Sequence, residues 1–201
     1  MHQDAFVSII TSRQHHKNNS FKQQQKQEEG MATSTHASAG TASSSLQETL
    51  EVGWLDSHIC EDGQHQQIKS YCQNISKFIS KWNFFDSCDK FNDYIKNNPN
   101  VKLIMIMSGR FARQLLALVS PRENLHSVYV FTINIERTKE ALGEEPKLKG
   151  VFNVENTLYD KLKNDLSELF WEEGKKLVAS NHDQEARLYF DEAKRLVEHI
   201  Q

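Results

Sequence analysis

The segment from Val101 to Val119 constrains the fold more than any other part of the chain. Its sequence, VKLIMIMSGRFARQLLALV, passes from an apolar run into a helical pattern with no spacer. A strand buried on both faces has a continuous apolar run rather than an alternating one. A glycine-containing turn, here Ser108-Gly109, then leads into a helix. This pattern predicts a central strand of a parallel sheet, followed by its crossover helix.

Comparable units lie on both sides of this segment. Apolar or aromatic runs predict further strands at residues 51–55, 81–85, 128–133 and 150–154. Apolar spacings of three and four predict helices over 62–79, after 86–89, over 136–142 and from about residue 157. Alternation of strands and helices predicts an α/β fold with a doubly wound parallel sheet, most simply in the flavodoxin-like order 2-1-3-4-5.

Composition divides the chain into three parts. Residues 1–48 are rich in Gln, Ser, Thr, His and Asn, so we expect a disordered polar tail. Residues 49–166 carry the α/β pattern, and residues 167–201 predict a helical hairpin. The apolar stretch Ala5 to Ile10 is too short for a signal peptide or a membrane span, so we expect a cytoplasmic protein with no membrane partner.

The net charge and the cysteine content argue against nucleic-acid binding, a disulfide framework and a cysteine metal site. A formal net charge of −3 with mixed signs gives no electrostatic footprint for nucleic acid. The chain has three cysteines, Cys60, Cys72 and Cys88, whose spacing fits neither a disulfide framework nor a metal site. We expect reduced, mostly buried thiols.

The C-terminal hairpin resembles a single tetratricopeptide repeat. Its two predicted helices flank residues 180–183. Six residues fall at the spacing of the repeat, with small residues where paired helices approach closely: Phe170, Gly174, Leu177, Ala186, Phe190 and Ala193. The chain departs from the repeat at Leu177, where Tyr is usual, and at Glu198, where Pro is usual. A lone repeat needs neighbours for its faces, so we expect the hairpin to pack on the sheet domain, to begin a longer array, or to self-associate.

The α/β part before the hairpin contains the segments VGWLD, LIMIMSGRFARQL, SVYVFT and KLKGVFN. With these segments it resembles a receiver-like or TIR-like α/β module. That module is found before tetratricopeptide arrays or ADP-ribosyltransferase domains in some invertebrate multidomain proteins. The resemblance implies the fold and no particular activity. An arginine-type ADP-ribosyltransferase would need a Glu-x-Glu pair, which the sequence lacks. Receiver phosphotransfer would need an Asp after the third strand and a Lys after the fifth, whereas Ser108-Gly109 ends the third strand and Lys149 precedes the fifth.

Five residues are candidates for a ligand site at the carboxyl ends of the strands, where open parallel sheets bind ligands. They are Asp56, Ser108, Gly109, Arg110 and Thr132. A hydroxyl, an accessible backbone and a guanidinium at a helix N-terminus suit a phosphate or carboxylate. The alternative is structural, with Asp56 capping its loop, Ser108 capping a helix, Arg110 solvated and Thr132 an ordinary strand-end residue.

Metal binding and NAD cleavage have weaker support. Asp56, His58, Cys60 and Asp62 alternate in one loop, but a flexible segment imposes no coordination geometry, and we expect neither a metal nor a cofactor. A TIR-type NAD cleavage site would need a glutamate, for which only Glu61 and Glu136 lie near strand ends.

These patterns favour a non-catalytic protein-interaction or regulatory module. We predict that the hairpin supplies the surface for a protein partner or for self-association, with Phe170, Trp171, Leu177, Tyr189 and Phe190. The alternative is a domain that binds NAD, ADP-ribose or a nucleotide, or processes NAD, at the carboxyl-end crevice.

Overall fold

The computed structural model describes residues 49–61 and 66–198. The predicted N-terminal tail lies outside these residues, as do Asp62, His65 and His199. Within these residues the chain forms five strands and six helices. Their order is β1 (Leu50–Leu55), α1 (Gln66–Gln73), β2 (Lys81–Phe85), α2 (Cys88–Asn97), β3 (Lys102–Ser108), α3 (Gly109–Val119), β4 (Leu125–Phe131), α4 (Ile135–Leu142), β5 (Leu148–Phe152), α5 (Glu155–Ala179) and α6 (Asp183–Val197).

The predicted architecture is confirmed. All strand pairs are parallel, and the sheet order is β2-β1-β3-β4-β5. The five interior residues of β3, from Leu103 to Met107, are buried. They alternate between two apolar cores, one on each face of the sheet. The continuous apolar run therefore exists because both faces of the central strand are covered.

Each core is closed by its own set of helices. One contains side chains of α1, α5 and α6, including Cys72, Leu162 and Tyr189. The other contains side chains of α2 and α3, including Phe91 and Leu115. No helix in the described part of the chain is long and apolar enough to cross a membrane.

Several element boundaries differ from the sequence predictions. Helix α1 covers Gln66–Gln73 and does not continue to residue 79, because residues 74–79 turn back toward β2. Strand β4 ends at Phe131, so the prediction that it extends to Ile133 is wrong. Strand β5 begins at Leu148, which places Lys149 inside the strand instead of before it.

The last sheet helix and the first hairpin helix are one continuous helix. Helix α5 has 25 residues, which at about 1.5 Å per residue gives a length of about 37 Å. The longest strands have 7 residues, or about 23 Å. Helix α5 therefore extends beyond the sheet, and α6 folds back along the extension.

Candidate functional site

The carboxyl ends of β1, β3 and β4 bring three of the candidate ligand residues to one edge of the sheet. Leu55 pairs with Met107, and Ser108 pairs with Phe131. Asp56 and Thr132 each follow the last residue of their strands, next to Ser108. Neighbouring strands lie about 4.8 Å apart, so the predicted residues share one edge of the sheet.

The Asp56 carboxylate is used within its own loop. Its Oδ1 atom accepts a hydrogen bond from the backbone N–H of His58 at 2.9 Å. The backbone N–H of Asp56 donates to the carbonyl of Phe85 at 3.0 Å. The His58 ring lies 3.7 Å from the same carboxylate. In residues 49–61 and 66–198, no group of three or more His, Cys, Asp or Glu side chains is arranged to hold a metal ion. These contacts match the structural alternative for Asp56.

The turn from β3 into α3 is tightly packed. Ser108 occupies the N-cap position with an extended backbone, and its hydroxyl makes no capping hydrogen bond. Gly109 is buried against β4, since a Cβ atom there would lie 2.5 Å from Thr132 Oγ1. The glycine is therefore required by close approach of a side chain to the backbone. It leaves no room for a phosphate between Gly109 and Thr132.

Arg110 is exposed, and its guanidinium carbon lies 5.9 Å from the ring centre of Phe111. An exposed Arg110 agrees with the structural alternative, in which its guanidinium is solvated.

The surroundings of Thr132 include Thr138 and Arg113, two residues that the sequence analysis did not name. Thr132 Oγ1 accepts a hydrogen bond from Asn134 N at 3.4 Å and lies 3.5 Å from the hydroxyl of Thr138. Thr138 is buried and accepts a hydrogen bond from Arg113 Nη1 at 3.1 Å. A Thr on the apolar side of a short helix gives little signal in sequence, because its role depends on contact with β4.

The two glutamates considered for NAD cleavage lie in exposed surroundings. The Glu61 side chain lies 3.9 Å from His58 Nε2, and its side chain is more than half exposed. Glu136 lies 3.9 Å from Lys139 Nζ and is almost fully exposed. Neither glutamate lies in an enclosed site.

The cysteines have different environments. Cys72 is buried, and burial raises the pKa of its thiol to about 12, which suppresses the nucleophilic thiolate. Cys88 is partly buried and Cys60 is exposed, so the expectation of mostly buried thiols is met only by Cys72. All three are free cysteines.

The predicted interaction surface on the hairpin is divided between the core and the outside. Phe170 and Tyr189 are 0% and 1% exposed and contact the ring of Phe78. These two residues pack the hairpin on the sheet domain and do not contribute an accessible surface. Trp171, Leu177 and Phe190 are half-buried.

A buried polar cluster holds α6 against the segment before β2. Ser76 donates its hydroxyl hydrogen to Glu192 Oε1 at 2.6 Å, and Arg195 donates to both Glu192 and the carbonyl of Ile75. Burial alone would raise the pKa of Glu192, but the hydrogen bonds from Arg195 and Ser76 outweigh it and hold that pKa below its ordinary value. Glu192 is therefore a charged group that fixes the position of α6.

Comparison with known proteins gave no match, whether to a family model, to a curated protein or to a solved structure. The functional inference therefore rests on the side chains of this chain.

Proposed function

We propose that this domain is a non-catalytic protein-interaction module that self-associates through the α5–α6 hairpin. The observation that carries the proposal is an aromatic pair that joins the two helices near the surface. The rings of Trp171 and Phe190 lie 4.7 Å apart, and both side chains are half-buried. Each stands next in sequence to a core residue, Phe170 or Tyr189, and so lies about 100° around its helix from the core.

The contact between the helices places this pair at the side of the hairpin. A Cβ atom at Gly174 would lie 2.6 Å from the Phe190 ring, so the ring rests on the backbone of α5. One stripe along α5 contains Trp171, Gly174 and Val178, since Gly174 and Val178 lie three and seven residues after Trp171. Val178 is 37% exposed. We define the hairpin surface as Trp171, Val178 and Phe190.

A second copy of the chain suits this surface. The exposed charges on α5 beside it are paired internally, Lys175 with Glu172 at 2.5 Å and Lys176 with Glu173 at 3.0 Å. The charges of these four side chains therefore sum to zero and do not repel an identical surface. Repeat hairpins gain stability by stacking on neighbours of the same kind. A two-fold axis would place the same residues of both copies in contact.

The test is the oligomeric state of the described domain and of two variants. In sedimentation equilibrium we expect a concentration-dependent dimer for the wild type. Val178→Glu should shift the chain to monomer, because the new charge would be buried in the interface. Leu118→Glu is the matched control, since Leu118 is 73% exposed but lies on α3, away from the hairpin.

A monomeric wild type at the highest concentration reached, or a Val178→Glu variant that dimerises as the wild type does, would contradict the proposal. Thermal shift with NAD, ADP-ribose and nucleotides tests the other function class. A ligand at 100 times its dissociation constant stabilises by about 2.7 kcal/mol. A shift that disappears in Arg110→Ala would favour the carboxyl-end crevice as a ligand site instead.

A further inference from the structure

Two irregularities lie side by side at the amino-terminal ends of β3, β4 and β5. Between β3 and β4, Leu103 pairs with Leu125 while Ile104 pairs with Ser127, so His126 is an extra residue. Between β4 and β5, Val128 pairs with Leu148 while Tyr129 pairs with Gly150, so Lys149 is an extra residue.

Bulges of this kind are rare between parallel strands, and they redirect the side chain of the extra residue. Both extra residues here are basic. A third basic residue, Lys102, begins β3 directly before Leu103. We call Lys102, His126 and Lys149 the amino-edge basic cluster.

The members of this cluster act on one another electrostatically. Burial lowers the pKa of His126, and the positive charges of Lys102, Lys149 and Lys147 lower it further, to about 4. Asp165 opposes this effect without overcoming it. Burial also lowers the pKa of Lys102, with a further contribution from Lys176 and an opposing one from Glu173. The strand register independently places the three residues at the starts of neighbouring strands, with Lys102 and His126 half-buried and Lys149 exposed.

The nearby carboxylates are engaged with other groups. Asp165 accepts hydrogen bonds from the Tyr129 hydroxyl and from Lys161 Nζ, both at 2.6 Å. Glu173 pairs with Lys176. Neither Lys102 nor Lys149 forms an ion pair with any residue in the described ranges.

Among the described residues, the hydrogen-bond partner of the His126 ring is a neutral group, the Ser127 hydroxyl, with Nδ1 at 3.3 Å from Oγ. The cluster therefore has unused hydrogen-bond donors and no compensating negative charge of its own.

We propose that the amino-edge basic cluster binds a phosphate group. Three donors with positive or titratable charge match a multivalent oxyanion better than a single carboxylate, because charge-assisted hydrogen bonds add for each oxygen. Partial burial of Lys102 and His126 lowers the effective dielectric constant there and strengthens these interactions. The site lies at the opposite end of the strands from the predicted ligand crevice, and it does not depend on self-association of the hairpin.

Nuclear magnetic resonance titration of His126 tests the proposal directly. The ring pKa is measured in sodium chloride and in sodium sulfate at equal ionic strength, since sulfate keeps its double charge throughout the pH range. Sulfate serves as a fixed-charge probe for the phosphate group. The His126→Gln spectrum identifies the signal among the other histidines.

We expect bound sulfate to raise the His126 pKa by about one unit or more, as an opposite charge at close range does. An equal pKa in both salts would overturn the proposal.

Variants provide a second readout. Calorimetric titration with inorganic phosphate should give affinities about tenfold weaker for Lys102→Gln and for Lys149→Gln, a change of about 1.4 kcal/mol in binding free energy. Lys139→Gln, on exposed α4, is the control and should bind as the wild type does. Wild-type affinity in both cluster variants would contradict the proposal.

Misfolding is separated from loss of binding by thermal unfolding. Removing a positive charge relieves repulsion within the cluster, so we expect the cluster variants to unfold at or above the wild-type temperature in the absence of phosphate. Glycerol phosphate is titrated in parallel with inorganic phosphate. Binding of both would assign phosphate esters to the site, and binding of inorganic phosphate alone would assign the free ion.

Discussion

The two ends of the sheet differ in how their polar side chains are satisfied. At the carboxyl end, Asp56 accepts a hydrogen bond from its own loop, and Thr132 packs on Gly109. At the amino end, Lys102 and Lys149 have no ion pair among the described residues. Topology favours ligands at the carboxyl end. The unpaired lysines favour a ligand site at the amino end instead. They are features of this chain, whereas the topological rule applies to open parallel sheets in general.

The largest expected effect concerns the contact between the hairpin and the sheet domain. Phe170→Ala removes a ring that is 0% exposed and packs against Phe78 and Tyr189. We expect a loss of about 3–5 kcal/mol in the free energy of unfolding, as for other buried phenylalanines. Urea denaturation measures it, with Leu118→Ala on α3 as the exposed control. Two separate unfolding transitions in the wild type would show instead that the hairpin folds independently of the sheet.

The next effect concerns the polar cluster that anchors α6. Glu192→Gln keeps the size of the side chain but removes the charge that Arg195 and Ser76 bind, and we expect a loss of about 1.5–3 kcal/mol at neutral pH. Ser167→Ala removes a different contact of α6, the hydrogen bond from Ser167 Oγ on α5 to the carbonyl of Ala193, and should cost less.

The same carboxyl group makes stability depend on pH. The folded pKa of Glu192 is lowered, so its contribution is complete above the unfolded value of about 4.3 and is lost as the pH falls through the folded pKa. Urea denaturation at a series of pH values should show a shallower acid limb in Glu192→Gln. An unchanged acid limb would mean that Glu192 does not carry this contribution.

The fold was predictable from sequence because it depends on patterns that local residues carry. The run from Leu103 to Met107 indicates a strand buried on both faces, and each predicted strand forms at close to its predicted position. The apolar Ile133 was assigned to β4, although it is 98% exposed, because hydrophobicity alone does not distinguish a strand residue from a surface loop residue.

The site was less predictable because it depends on register. Asp56, Ser108 and Thr132 share the predicted edge, but only the structure shows the close packing of Gly109 on Thr132. His126 and Lys149 belong to one cluster because bulges in two adjacent strand pairs add a residue at each position. No spacing in the sequence indicates a parallel-sheet bulge.

An intermediate effect tests whether the carboxyl end is closed. Gly109→Ala should destabilise the domain by about 1–3 kcal/mol, since the added methyl group would overlap Thr132. Adding Thr132→Ala to this variant should restore part of the loss, because it removes the hydroxyl that the methyl group meets first. If the crevice were open, Gly109→Ala would stabilise the domain instead. Gly109 is the first residue of α3, and alanine is favoured over glycine in a helix. Thermal unfolding distinguishes the two outcomes.

The smallest expected effect concerns Asp56, one of the candidate ligand residues at the carboxyl end of the sheet. Asp56→Ala removes the hydrogen bond from His58 N, and we expect a loss of about 0.5–1.5 kcal/mol in the free energy of unfolding. Asp56→Asn keeps an accepting oxygen and should recover most of it, since capping requires an acceptor and not a charge. Chemical denaturation of both variants measures the difference. Equal losses in both would show that the negative charge itself matters, and would return Asp56 to consideration as a ligand-binding residue.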